Sequence, residues 1–341
     1  MNDLKKLKFS LLSGMERANM LMIRTPTPLN DAHQGVYFCL EAIPKDMSQR
    51  TFAKPVLSTN ELISFLQDKG LEFKHEQQAK RCLTYIGYYR LKIYMRPFET
   101  ASKNFRPGTT FEKVVETYNF DRKLRLLCLD AIERVEVALR ASLINVMGSH
   151  GGPHFYYEET FFENKEAVTR IRRKGENGKH LSITHYKTEY ETPYLPAIWC
   201  LTEASTFGEI SRWYADLHRA YRKEIASEFG FDESICVSWF RCLSTLRNIC
   251  AHHGRLWNAE MRVDMPKKAK AYEEDLADNT TCYSRLVVLA AILKKIDPGN
   301  GEGWKSQLRE LLDSRPTSLD PRFMGFPENW TSRQPWPDDH R

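Results

Sequence analysis

The stretch Leu246-Arg247-Asn248-Ile249-Cys250-Ala251-His252-His253-Gly254-Arg255-Leu256-Trp257-Asn258 holds the residue types that phosphoester chemistry asks for. Arg247 carries a permanent, forked charge that suits a phosphate and the charge that develops on it during displacement. His252 is of the residue type whose unperturbed pKa, about 6.5, allows a proton to be taken and returned at neutral pH. Asn248 offers a hydrogen bond to a phosphate or to the imidazole. Loose Arg–His pairs at similar spacing also occur at Arg173/His180, Arg212/His218 and Arg333/His340. The context of Arg247 sets it apart. It falls near the end of a helical pattern whose inward stripe is Trp239, Leu243, Leu246 and Cys250, Asn248 follows it directly, and Gly254 is placed to stop the helix.

Other chemistries lack their signatures. The sequence has no Gly-rich phosphate loop, no HExxH, no nucleophile elbow and no Cys/His array at zinc spacing. His252 and His253 are adjacent, so on a helix they point about 100° apart, a poor start for a metal site. No metal and no cofactor is expected. The eight cysteines form no CxxC pair and mostly sit inside apolar helical patterns, which reads as small core residues in a reducing compartment.

These residues need a scaffold to hold them. At 341 residues, with 42% hydrophobic, 12% aromatic and 28% charged, the chain has enough apolar material for one large domain or two. Its longest purely apolar run is 286–293, far short of the roughly 20 residues a membrane span needs, and no signal peptide is evident. A soluble, cytoplasmic protein without a membrane partner is expected. The net charge of +6 leans mildly toward polyanions.

Residues 1–50 lack periodicity and read as a variable, mobile extension, with Met47 as an alternative start. An N-terminal helical region follows over 51–110, opened by Ser58 and Glu61 at capping-box spacing. The helical core is expected over 111–300. It begins with a long helix over 111–147 whose stripe is Leu124, Leu127, Ala131, Val135, Ala138 and Ser142. Asp121/Arg125, Asp130/Arg134 and Glu136/Arg140 read as i,i+4 pairs on its outer faces. Residues 163–192 read as an exposed loop, and helices resume at 195–216, 218–229, 234–253 and 278–296. Residues 301–341 are expected as an irregular Pro- and Trp-rich tail on the body. The fold class is mainly α.

Secondary candidates are weighed against plainer roles. Tyr88, Tyr89, Arg90 and Tyr94 have the types that stack bases and hold phosphates, but also suit core and rim. Glu133, Glu136 and Arg140 could line a site or form a solvated face. The run from Arg170 to Lys174 suits a solvated loop or a nucleic-acid contact. His253 suits packing or capping of the helix end, and Arg255, Trp257 and Asn258 suit fixing it, with His253 and Arg255 kept as candidate RNA contacts beside Tyr89, Arg90 and Arg140.

Over roughly 54–335 the sequence resembles the Abi-like (AbiD/AbiF-type) abortive-infection proteins, placed in the HEPN superfamily. The resemblance rests on Lys54-Pro55-Val56-Leu57 with Gly70-Leu71, on Ile86-Gly87-Tyr88-Tyr89-Arg90-Leu91, and on Tyr118-Asn119-Phe120-Asp121-Arg122-Lys123-Leu124-Arg125 running into Ala131-Ile132-Glu133-Arg134-Val135-Glu136. Leu195-Pro196-Ala197-Ile198-Trp199 with Phe207-Gly208, the 247–258 block and the ending Met324-Gly325-Phe326-Pro327-Glu328-Asn329-Trp330 complete it. It implies a HEPN-type helical bundle with an additional N-terminal helical region. It also implies a homodimer in which two R-x4-6-H motifs, here Arg247, Asn248 and His252, form one composite site that cleaves RNA without a metal.

That role suits the residues. RNA carries its own nucleophile, the 2′-OH, so a protein has only to move protons and stabilise charge on the phosphorane. Arg247 and His252, five apart, lie about 140° apart around an ideal helix, whereas Asn248 and His252 share a stripe. Arg247 must reach round or meet the partner copy's histidine. The expected protein is an antiphage, toxin-like ribonuclease, with target RNA, a regulatory non-coding RNA and an antitoxin as expected partners. The alternative is a non-catalytic HEPN protein that holds a regulatory or guide RNA.

Overall fold

The computed structural model describes residues 55–337 and the two-residue strand β1 (Met22–Ile23). The expected extension over 1–50 otherwise lies outside the described residues. The chain is mainly α-helical, as its patterning indicated, and divides into two compact units, Arg24–Tyr118 and the remainder.

The smaller unit holds α1 (Thr59–Asp68), α2 (Glu76–Tyr85) and α3 (Tyr88–Met95). Ser58 and Glu61 form the expected reciprocal capping box at the start of α1. The chain leaves α1 through Gly70, whose φ of +86° is costly for any side chain. Ile63, Leu66, Ala79, Leu83, Leu91 and Tyr94 share one core with Phe111 and Val114, from the start of α4 (Phe111–Gly151). The helix α4 runs on into the larger unit, and the division falls after Tyr118.

In the larger unit α4 buries Leu124, Cys128, Ala131, Val135, Leu139 and Leu143. Residues 163–192, expected as a loop, instead form α5 (Glu166–Asn177) and α6 (Leu181–Glu189). The apolar face of α5 is only Ala167, Val168, Ile171 and Gly175, hidden in sequence among its charges. Those charges are engaged: Arg170 pairs with Asp216, Arg172 donates to the Tyr157 carbonyl, and Lys174 holds Glu209 at 2.8 Å. The single helix expected over 195–216 is two, α7 (Ile198–Glu203) and α8 (Phe207–Asp216), because Thr206 and Glu209 form a capping box that restarts it. Next come α9 (Arg219–Phe229) and α10 (Glu233–Ala251), followed by β2 (Ala259–Glu260), which pairs antiparallel with β1.

Every residue of α11 (Cys282–Ile296) from Cys282 to Leu293 is buried, with α9, α10 and α12 (Pro298–Asp313) packed around it. A helix apolar on all sides belongs inside. Its one buried cation, Arg285, is satisfied by carbonyls, among them Met261 at 2.7 Å and Thr281 at 3.2 Å. The tail expected as irregular from 301 thus opens with a helix. Pro298 sits in the first turn, where its missing N–H costs nothing, and Trp304, Leu308 and Leu312 give one buried face. Beyond it Trp336 is fully buried and donates to the Tyr283 hydroxyl at 3.1 Å.

The seven described cysteines are half-buried or buried free thiols, and Cys39 lies outside the described residues. Among the described residues no helix is long and apolar enough to cross a membrane.

Candidate functional site

The helix α10 carries the Arg–His block. Its inward stripe of Trp239, Leu243, Leu246 and Cys250 is buried, and the Trp239 indole donates to the Lys267 carbonyl at 2.9 Å. The helix ends in a Schellman turn: the His253 N–H donates to the Cys250 carbonyl (3.0 Å) and the Gly254 N–H to the Ile249 carbonyl (2.7 Å). The left-handed position of that turn belongs to His253, with φ +59°, and not to Gly254. Glycine is needed at 254 for space. A Cβ there would lie 2.7 Å from Ile249 Cγ2 and 3.0 Å from the Ile249 carbonyl oxygen. The helix therefore stops two residues earlier than its sequence suggested, and His253 is exposed.

After the turn the chain goes inward: Arg255, Leu256, Trp257 and Asn258 are all buried. Asp121 of α4, itself fully buried, accepts the backbone N–H groups of Leu256 (2.9 Å) and Trp257 (2.7 Å) on Oδ1. Its Oδ2 pairs with Arg125, which also donates to the Gly254 carbonyl at 3.3 Å. The spacing of Asp121 and Arg125 was read correctly but their face was not. The pair is internal, and it ties the turn after the motif to the longest helix. Nothing in the sequence pairs Asp121 with Trp257, which is 136 residues away.

On the outer side, Asn248 and His252 are exposed and Arg247 is half-buried. Arg247 Nη1 donates to Asn248 Oδ1 at 3.4 Å, and the His252 N–H donates to the Asn248 carbonyl at 3.0 Å. Among the described residues Arg247 pairs with no carboxylate, and the His252 imidazole makes no hydrogen bond. The fold thus holds the backbone of this corner firmly and leaves a guanidinium, an amide and an imidazole open to solvent.

The secondary candidates divide. Arg255 is 3% exposed and donates to the Asn258 carbonyl at 2.9 Å, so it fixes the inward chain rather than facing a ligand. Arg140 is half-buried, paired with Glu136 and bonded to the carbonyls of Thr202 and Ser205, which closes the end of α7. Tyr89 and Arg90 belong to the smaller unit. There Tyr94 is fully buried, Tyr88 meets Phe65 edge-on, Arg90 is half-buried, and Tyr89, 86% exposed, offers its ring to solvent. Among the described residues no three His, Cys, Asp or Glu are grouped to hold a metal ion.

The family model described as Abi-like protein matches residues 81–258, just over half of the chain. The chain belongs to the Abi-like protein family. No curated protein and no solved structure matches it. The matched stretch of this Abi-like protein runs from α2 to Asn258, so it contains both Asp121 and the Arg247–His252 corner. Membership suggests abortive infection as the setting of the protein.

Proposed function

We propose that this Abi-like protein is a HEPN-type endoribonuclease of an abortive-infection system, cutting RNA through the RNA's own 2′-OH without a catalytic metal. The observation that carries the proposal is the corner at the end of α10. A buried ion pair fixes its backbone, while the half-buried Arg247 and the exposed His252 have no carboxylate partner among the described residues. A guanidinium and an open imidazole at one helix end suit a phosphate that must be held while a proton moves.

In this reading His252 takes the proton from the 2′-OH as that oxygen attacks the adjacent phosphorus. Arg247 balances the extra negative charge on the phosphorane, with Asn248 orienting the phosphate. The bond to the 5′-oxygen then breaks, and that oxygen leaves with a proton from a second acid. The products are a 2′,3′-cyclic phosphate and a 5′-hydroxyl. The roughly 140° between Arg247 and His252 suits a homodimer in which a second copy's His252 supplies the acid.

The test is incubation of purified protein with labelled single-stranded RNA, with and without EDTA, beside Arg247→Ala and His252→Ala. Cleavage that survives EDTA and is lost in both variants supports the proposal. RNA that is bound but never cut favours a HEPN protein that only holds RNA.

A further inference from the structure

A groove of about 490 Å³ lies between α8 and α10 and is lined by Gly208, Ser211, Arg212, Arg241, Ser244 and Thr245, with Asp216 and Asp264 at its sides. The helices approach closely here, since a Cβ on Gly208 would sit 3.0 Å from Ser244 Oγ, so the floor is small and hydroxyl-bearing. Both carboxylates are already engaged. Asp264 accepts Arg241 Nε and the Thr245 hydroxyl, each at 2.6 Å, and Asp216 is held by Arg170 and by Asn164 at 3.0 Å. Arg212 is exposed and, among the described residues, pairs with no carboxylate, so the groove carries one uncompensated positive charge.

Its position links it to the Arg247–His252 corner. On α10, Arg241, Thr245, Asn248 and His252 recur at i, i+4, i+7 and i+11, one stripe about 16 Å long by the helical rise. A ligand lying along that stripe meets a guanidinium and hydroxyls first and the open imidazole last. A single nucleic-acid strand has the matching chemistry: regularly spaced phosphates and, in RNA, hydroxyls. We infer that this groove holds the RNA strand leading to the cleaved phosphate, with Arg212 on a backbone phosphate and Arg241, whose charge Asp264 balances, as a hydrogen-bond donor beside it. This rests on the ribonuclease reading and adds to it a substrate path along α8 and α10.

The probe is a fluorescent single-stranded RNA with 2′-O-methyl groups throughout, which binds but lacks the nucleophile. Its affinity is measured against salt for wild type, Arg212→Ala, Arg212→Lys and Lys268→Ala, the last an exposed charge outside the groove. Arg212→Ala is expected to weaken binding several-fold and to lower the slope of log K against log salt by about 0.7, the loss of one phosphate contact on a single strand. Arg212→Lys restores most of the loss, and Lys268→Ala matches wild type. With cleavable RNA, Arg212→Ala raises KM and leaves kcat near wild type. Wild-type affinity and slope in Arg212→Ala, in a protein that still cuts RNA, overturn the groove and leave the ribonuclease standing. A wild type that neither binds nor cuts RNA overturns both.

Discussion

Asp121 and Trp257 meet through a 2.7 Å hydrogen bond from the Trp257 backbone N–H to a carboxylate that is fully buried and also paired with Arg125. This contact fastens the chain just after the Arg–His block to α4. Removing one member of a buried pair leaves the other charge uncompensated, at a cost of about 3–5 kcal/mol. Asp121→Ala should therefore lower unfolding stability by at least about that much in urea titrations, and Asp121→Asn, which leaves Arg125 equally uncompensated, should recover only the part that belongs to the two N–H groups it can still accept.

His253 occupies a left-handed position that glycine fills most easily. His253→Gly should be more stable than His253→Ala by roughly 1 kcal/mol, the usual cost of a Cβ in that region. Gly254→Ala should destabilise for a different reason, the close approach to Ile249. Equal stability of the glycine and alanine variants at 253, measured by chemical denaturation, would contradict the turn.

Much of this was legible in the chain. The capping box at Ser58, the stripe of α10 and the apolar run of α11 follow from local periodicity, and local periodicity is what a sequence displays. The helix α5 was hidden because only four small or apolar residues of its twelve carry its buried face, and the rest are mostly polar. The Arg247–Asn248–His252 cluster could be found because its members adjoin. The Asp121 clamp could not, because its i,i+4 partner Arg125 looks the same on a buried face as on an exposed one.

Glu209 caps α8 and holds Lys174. Burial alone would push its carboxyl up, but the Lys174 ammonium and the Thr206 N–H outweigh burial and hold it below the ordinary glutamate value. A carboxylate with a lowered folded-state pKa contributes stability above its unfolded pKa, about 4.3, and loses it as pH falls through the folded value. Glu209→Gln should therefore be less stable than wild type at pH 7, with the gap closing as pH falls below 4. Thermal melts across pH 3–7 check this, and a gap that widens in acid would contradict it.

Burial pushes the Cys242 thiol up to about 11 and the Cys236 thiol up to about 12, and Cys128 and Cys282 are raised as well. The thiolate is the reactive form, so these four should resist alkylation at pH 8 until the protein unfolds. Cys82 and Cys200, half-buried and also raised by burial, should react slowly in the native state. Mass-spectrometric mapping of native and denatured protein distinguishes the two groups.

Arg247 and His252 lie on the open side of the corner, so alanine at either should change stability by no more than about 0.5 kcal/mol. Each should nonetheless abolish toxicity in cells. Loss of toxicity with a matching loss of melting temperature would point to a structural role instead.

The central claim, that the RNA supplies the nucleophile, is tested most directly with two RNAs that differ only by a single 2′-deoxy group at the mapped cut site. In EDTA the all-ribose strand should be cut there to leave a 2′,3′-cyclic phosphate and a 5′-hydroxyl, and the deoxy strand should stay intact at that position. Cutting at the deoxy position, or ends carrying a 3′-hydroxyl and a 5′-phosphate, would contradict the account.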